Sequence, residues 1–239
     1  MKEFERFHRD GYCVMRRVFS PDYIGALRKV ITDNLPLLRR TRPNPNARHL
    51  AGFHRFAALE PMHRQAADHA AVQEAMQSVF QGRAFGTIGL SDITVNRSQN
   101  WHTDLLRGPY AEHLTDGVCW GDPAPSCVKA LIYLQDSASL RVIPGSHLRP
   151  VDLEDDAAVI PGEGVDVRAV EVAAGDLMLI DLRLIHRGSS EADLAGMGLG
   201  TDAKMMVSTV FGVKGSPLAA AMRDGNARRM ADWDRRHAG

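Results

Sequence analysis

Three cysteines in 239 residues are too few, and the wrong number, for a disulfide framework. Cys13, Cys119 and Cys127 form no CxxC pair, so the usual thiolate zinc spacings are missing and a reducing cytoplasm is the expected setting. Charge of one sign is not in excess: Lys plus Arg and Asp plus Glu are 29 each. No overall field therefore favours nucleic acid or an anionic membrane. No window approaches the ~18 uninterrupted apolar residues of a membrane span, and MKEFERFHRD has no apolar signal core. Internal repeats and low-complexity tracts are lacking too. The expectation is a soluble, cytoplasmic chain, a single domain over 1–239, whose partners are small molecules.

Residues 1–82 read as helices broken by one short strand. Phe4 and Phe7 recur at helical spacing, YCVMRRVF (12–19) has strand-like content, and Ser20-Pro21-Asp22 caps a helix through about Leu38. RRTRPNPNARH (39–49) reads as a solvated loop, although its arginines could reach over a pocket to an anionic substrate. A helical run over about 61–80 carries Val72, Met76, Val79 and Phe80 at core spacing. From 83 to 215 short β-rich segments alternate with turns: FGTIGLSDITVN, CVKALIYLQD, LRVIPGS, VRAVEVAAGDLMLIDL and KMMVSTVFGV. That pattern predicts a jelly-roll or cupin-like core in a mainly β fold with flanking helices. Residues 216–239 read as a polar surface helix docked by Trp233, and the acidic DLEDDAAV (152–159) as a solvated loop at a lid edge.

The stretch NWHTDL (100–105) holds a His-x-Asp. With ten histidines in the chain, about one such pair is expected by chance, and His8-Arg9-Asp10 is a second copy on a helix face. Context has to separate them. In a strand, His102 and Asp104 would share one face and could share one metal. LIDLRLIHRGSS (179–190) offers His186 at the end of a strongly apolar strand as a third ligand. Two His and one carboxylate make the facial set of non-haem Fe(II) oxygenases, whereas zinc usually takes a His-rich or Cys-containing tetrahedral set.

The sequence resembles the phytanoyl-CoA dioxygenase-like branch of the Fe(II)/2-oxoglutarate-dependent oxygenases. The resemblance rests on FERFHRDGYCVMRRVFSPDYIGALR, the WHTD, VIPGSHL (142–148), AGDLMLID (174–181) and HRGSS (186–190) in that order. It implies a double-stranded β-helix core, iron held by His102, Asp104 and His186, and 2-oxoglutarate converted to succinate and CO2 with dioxygen. It also implies hydroxylation or a related oxidation of an unactivated C–H bond, since halogenases of this superfamily carry a small residue in place of Asp104. The family's arginine for the far carboxylate of 2-oxoglutarate is missing, because Met197 stands near its place inside the glycine-rich DLAGMGLGTD. Lys204 and Lys129 are the two candidate anchors, with Ser189 adding a hydroxyl; Lys129, between Val128 and Ala130, could instead face solvent.

Arg97, Arg141, Arg183 and Arg187 are candidates for a substrate carboxylate or phosphate, and Trp101 and Trp120 for pocket walls or core. His147 is expected to hold the PGSH turn. His49, His54, His63, His69, His113 and His237 have no partner in the sequence pattern and read as surface or packing residues. The substrate expected is an amino acid derivative or a natural-product intermediate. Two other readings stay open: a non-catalytic jelly-roll that binds a ligand, and a Zn or Ni cupin enzyme.

Overall fold

The structure, a computed structural model, describes residues 2–41, 43–150, 153, 158 and 164–236. The stretch 152–159, save Leu153 and Ala158, and His237 lie outside the described residues. Helix α1 (Lys2–Asp10) leads into β1 (Tyr12–Met15). Ser20 Oγ then accepts from the Tyr23 amide at 3.2 Å, and Pro21 opens α2 (Pro21–Asp33). The helix stops at Asn34, short of Leu38, and a single 3-10 turn, Leu35–Leu37, follows.

Segment 39–49 departs from the expected loop. Its ends pair as β2 (Arg39–Arg40) and β3 (Arg48–Ala51), because the prolines and asparagines are confined to the turn between them. The helix expected over 61–80 is two, α3 (Glu60–Ala67) and α4 (Ala70–Val79), separated at Asp68 and His69, where Gln73 Nε2 donates to the Ala67 carbonyl at 2.7 Å. Val72, Met76, Val79 and Phe80 are all buried, as the spacing predicts.

The second part of the chain supplies β4 (Phe85–Val95), α5 (Asp116–Trp120), β5 (Cys127–Tyr133) and β6 (Ser137–Val142). VRAVEVAAGDLMLIDL is not one strand. It turns at Ala173–Gly175 and gives β7 (Arg168–Val172) and β8 (Leu177–Asp181), which join different sheets. After them come β9 (His186–Arg187), α6 (Glu191–Leu194), β10 (Met205–Val213) and α7 (Pro217–Arg236).

Among the described residues the strands form a jelly-roll core of two antiparallel sheets. The larger has the order β1-β8-β5-β10-β4-β3-β2, so all three strands of the first third extend it; the smaller has the order β7-β6-β9. Side-chain alternation sorts the layers. Ala130 and Ile132 of β5, Leu177 and Leu179 of β8, and Val207 of β10 pack with the first four helices. Leu131 and Tyr133 of β5, with Met178 and Ile180 of β8, pack against Leu140, Val142, Val170 and Val172 of the smaller sheet. Each such side chain is worth roughly 1.5–3 kcal/mol when fully buried. Lys129 shares the parity of Leu131 and Tyr133, so it points between the sheets and not to solvent.

The last helix is more than a surface decoration. α7 buries Leu218, Ala219, Ala221, Met222, Gly225, Asn226 and Met230, whereas Trp233, the expected docking residue, is only partly buried. A β-carbon at Gly225 would drive into the Tyr110 carbonyl and come within 2.8 Å of Leu106 Cδ1. Glycine is needed there for close approach, not for a left-handed backbone. No described helix is long and apolar enough to cross a membrane.

Candidate functional site

The His-x-Asp does not lie on a strand. His102 forms a lone bridge with His186, each donating its amide to the other's carbonyl at 2.9 Å, and the Asp104 amide donates to the Leu182 carbonyl at 2.9 Å. Nor does His186 end the apolar strand as expected. That strand stops at Asp181, the chain turns, and His186 begins β9 in the smaller sheet. The backbone bridge brings together residues more than eighty positions apart, so the three side chains meet by a different local route from the one the spacing predicts.

Their geometry is specific. His102 Nδ1 stands 2.6 Å from the Asn100 carbonyl and His186 Nδ1 stands 3.0 Å from that of Leu184. Both contacts require Nδ1 to carry the proton, which leaves the Nε2 lone pairs aimed inward. His186 Nε2 is 3.6 Å from Asp104 Oδ2, and His102 Nε2 is 3.9 Å from Asp104 Oδ1. The ligand atoms of the three residues all lie within 4.8 Å of one another. Burial, and then its neighbour His186, hold His102 down to about 3; burial pushes His186 down as well. Both rings are thus neutral at ordinary pH. Burial alone would raise the Asp104 carboxyl, but Lys129 and then the two imidazoles hold it below the usual carboxylate range.

One atom stands out. Asp104 Oδ1 accepts from Lys129 Nζ at 2.8 Å, while buried Oδ2 has no hydrogen-bond partner. An ionised oxygen without a donor is costly, and a cation between it and two neutral imidazoles removes that cost. Among the described residues this is the one group of three His, Cys, Asp or Glu side chains placed to hold a metal. The donor set suits an octahedral ion with three open positions.

The two candidate lysines differ. Lys129 is committed to Asp104. Lys204 precedes β10, donates to Ser139 Oγ at 2.8 Å and to Ser189 Oγ, and forms no ion pair with a described carboxylate. It lines a cavity also lined by His186, and burial pushes it down to about 8. Its placement depends on Asn96, which sequence reasoning missed. The Asn96 side chain accepts from the Lys204 amide at 2.7 Å and donates to the Gly198 carbonyl at 2.7 Å, splicing the glycine-rich insertion shut.

Of the candidate arginines, Arg183 is spent on structure. It grips Asp181 through two hydrogen bonds of 2.8 Å and donates to the Cys119 and Asp122 carbonyls at 3.1 Å. Arg141 donates to the Ala138 and Leu140 carbonyls, and Arg187 lies over the buried Trp101 ring at 5.7 Å. Arg97 alone of the four lines both the metal-facing cavity and the Lys204 cavity. Trp120 is directed elsewhere, donating to the His147 carbonyl at 3.1 Å, and His147 contacts the His8 carbonyl and so holds its turn.

Other histidines have partners that local sequence could not show. His49 pairs with Asp92 at 3.2 Å, and both line the cavity that contains His102 and Asp104. His54 meets Ser91 at 2.7 Å, His63 packs edge-on against Phe53, and His69 against Phe19. A carboxylate inside the apolar β4 was the available signal for Asp92. Arg229 of α7 lines the same cavity and gave no signal at all.

Comparison with known proteins bears on this arrangement. The sequence model of the family described as phytanoyl-CoA dioxygenase (PhyH) matches residues 7–191. The iron/alpha-ketoglutarate-dependent dioxygenase ausU of Aspergillus calidoustus is 27% identical over 202 residues, 78% of this chain and 63% of that protein. The chain therefore spans less than two thirds of that relative's length. Among solved structures, the alpha-ketoglutarate-dependent epimerase SnoN from nogalamycin biosynthesis superposes with a TM-score of 0.64 at 17% identity, over 89% of this chain and 82% of that one. HygX from Streptomyces hygroscopicus, with nickel, 2-oxoglutarate and hygromycin B bound, gives 0.63 at 18% identity over 90% and 87%. EctD from S. alaskensis, with 2-oxoglutarate and 5-hydroxyectoine, gives 0.61 at 18% over 90% and 76%. At these identities the superpositions show a shared fold.

Proposed function

The chain belongs to the phytanoyl-CoA dioxygenase (PhyH) family, and on that premise we propose that it is an Fe(II)/2-oxoglutarate-dependent oxygenase hydroxylating an unactivated C–H bond of a small molecule. The observation that carries this reading is the partnerless Asp104 Oδ2 facing two imidazoles whose Nδ1 protons are already engaged. In this reading His102 and His186 hold iron through Nε2 and Asp104 through Oδ2, while Lys129 steadies the other carboxylate oxygen. When bound, iron and 2-oxoglutarate activate dioxygen, with release of succinate and CO2, and supply the oxidant for the substrate.

The protein's own contribution is position and charge. The carbonyls of Asn100 and Leu184 fix the tautomer of each ring. Lys204, with the Ser189 hydroxyl, takes the far carboxylate of 2-oxoglutarate; both lysines line the cavity beside His186, and the support for choosing Lys204 is that Lys129 is paired with Asp104 whereas Lys204 forms no ion pair with a described carboxylate. Three free, buried cysteines accord with work in a reducing cytoplasm.

The test is succinate formation on mixing the protein with Fe(II), 2-oxoglutarate and oxygen, followed by mass spectrometry of a substrate panel. His102→Ala and Asp104→Ala should abolish succinate formation, while His8→Ala retains it. Succinate that forms without Fe(II), or equal loss in all three variants, would sink the reading. Ligand binding with no turnover would favour a binding module, and hydrolysis or isomerisation with zinc or nickel would favour a cupin of another class.

A further inference from the structure

Arg229 lies on the wall of the cavity that contains His102 and Asp104, on a helix that local sequence placed at the surface. Its Nε donates to Asn226 Oδ1 at 3.1 Å, and Asn226 Nδ2 donates to the Gly89 carbonyl at 2.7 Å. The side chain is therefore tied to β4. Its Nη2 is buried and has no hydrogen-bond partner. A buried guanidinium nitrogen without an acceptor is an unfavourable arrangement unless something else supplies one.

The surroundings say what that something is. Asp92, the nearby carboxylate, meets His49 at 3.2 Å; the Arg229 charge acts on it, but no hydrogen bond or ion pair joins the two. Arg107 aside, the described lining of this cavity sets Arg97, Lys129 and Arg229 against Asp92 and Asp104, so cations outnumber carboxylates by one. Lys129 already answers Asp104. The remaining field attracts an anion, and the planar guanidinium suits a carboxylate. Leu90, Leu182 and Val210 line the same cavity and suit an apolar body.

The helix is also held rigidly enough to present the group. Gly225, one turn before Arg229, lets α7 sit against the Tyr110 carbonyl, and Tyr110 Oη donates to Asp232 at 2.8 Å. Positions 225, 229 and 232 recur at helical spacing, so the clamp and the guanidinium share one face. Arg229 lies beyond the 7–191 segment that matches the family, where recognition particular to this chain is free to reside.

We propose that Arg229 binds a carboxylate of the substrate, which is thereby a small monoacid with an apolar body. The proposal rests on the oxygenase reading only in calling that ligand a substrate. The test uses metal-free full-length protein and calorimetric titration with N-acetyl-leucine, hippurate and hexanoate, each beside its neutral amide. The expected result is binding of at least one acid, at least tenfold tighter than its amide. Arg229→Gln should weaken that acid at least tenfold and remove the preference, and Arg229→Lys should restore part of it. Thermal melts confirm that the variants fold. Acid binding unchanged in Arg229→Gln, amides binding as well as acids, or no acid binding at millimolar concentration would each overturn it. Because metal and 2-oxoglutarate are left out, this result is independent of succinate formation by the wild-type protein, which tests the oxygenase reading alone.

Discussion

Lys129 and Asp104 form an ion pair of 2.8 Å between the two sheets, with each side chain only 11% exposed. Removing one partner of such a pair leaves a charge buried without compensation. Lys129→Met should lower the stability of the metal-free protein by about 3 kcal/mol in urea unfolding. Added Ni(II), as a redox-inert stand-in for iron, should recover more stability in the variant than in the wild type, because it supplies the charge that Asp104 has lost. An unchanged metal-free stability would show that Lys129 does not hold the carboxylate.

Lys204 donates to two hydroxyls and forms no ion pair with a described carboxylate. Lys204→Met should raise the KM for 2-oxoglutarate about 100-fold, the size of a lost charge-assisted contact of roughly 3 kcal/mol. Ser189→Ala should cost only a few-fold, and Lys204→Arg should recover part of the loss. Steady-state succinate formation against 2-oxoglutarate concentration checks all three. A KM unmoved in Lys204→Met would hand the anchoring role to another cation, Arg97 first, since it lines the same cavity.

Gly225 gives a prediction whose sign discriminates. At an open helical position, Gly→Ala stabilises by roughly 1 kcal/mol through propensity. Here the added β-carbon meets the Tyr110 carbonyl and Leu106, so Gly225→Ala should destabilise by about 1–3 kcal/mol, as overpacking does. Tyr110→Phe, which removes only the hydrogen bond to Asp232, should cost about 1 kcal/mol. Melting temperatures read both.

Burial, and next the neighbouring His54, push His63 down to about 4, against ~6.5 in an unfolded chain. Between those values the unfolded chain binds more protons than the folded one. The contribution to stability is therefore whole above about pH 6.5 and falls as pH drops toward about 4. His63→Phe, which keeps an aromatic ring beside Phe53, should shrink the stability difference between about pH 7 and pH 4.5 by about 1 kcal/mol, solvent reaching the half-buried ring and reducing the full effect. Denaturant midpoints at the two pH values give the comparison.

The fold was legible where a local pattern carried it. Ser20-Pro21 marked the start of α2, and the apolar spacing of Val72, Met76, Val79 and Phe80 marked a buried helical face. The break at Asp68 and His69 was not legible, because neither residue forbids a helix; tertiary packing of α3 and α4 overrode the propensity. For the same reason 39–49 read as loop throughout: edge pairing onto β4 makes strands of its two ends. Arg183 looked like a substrate ligand, since its sequence neighbours do not reveal that Asp181 and two carbonyls around α5 consume its donors.

What the sequence determined by itself is chemical type and period: two histidines and a carboxylate of the right kinds, apolar faces of fixed spacing, and the family that these belong to. Tertiary structure decided the rest. It set the 2.9 Å backbone bridge that joins His102 to His186, the lysine that faces Asp104, and the return of α7 that carries Arg229 to the cavity wall. The reason is that periodicity records which face of a segment avoids water. Strand pairing and cavity lining instead depend on contacts between distant positions, and no local pattern encodes those.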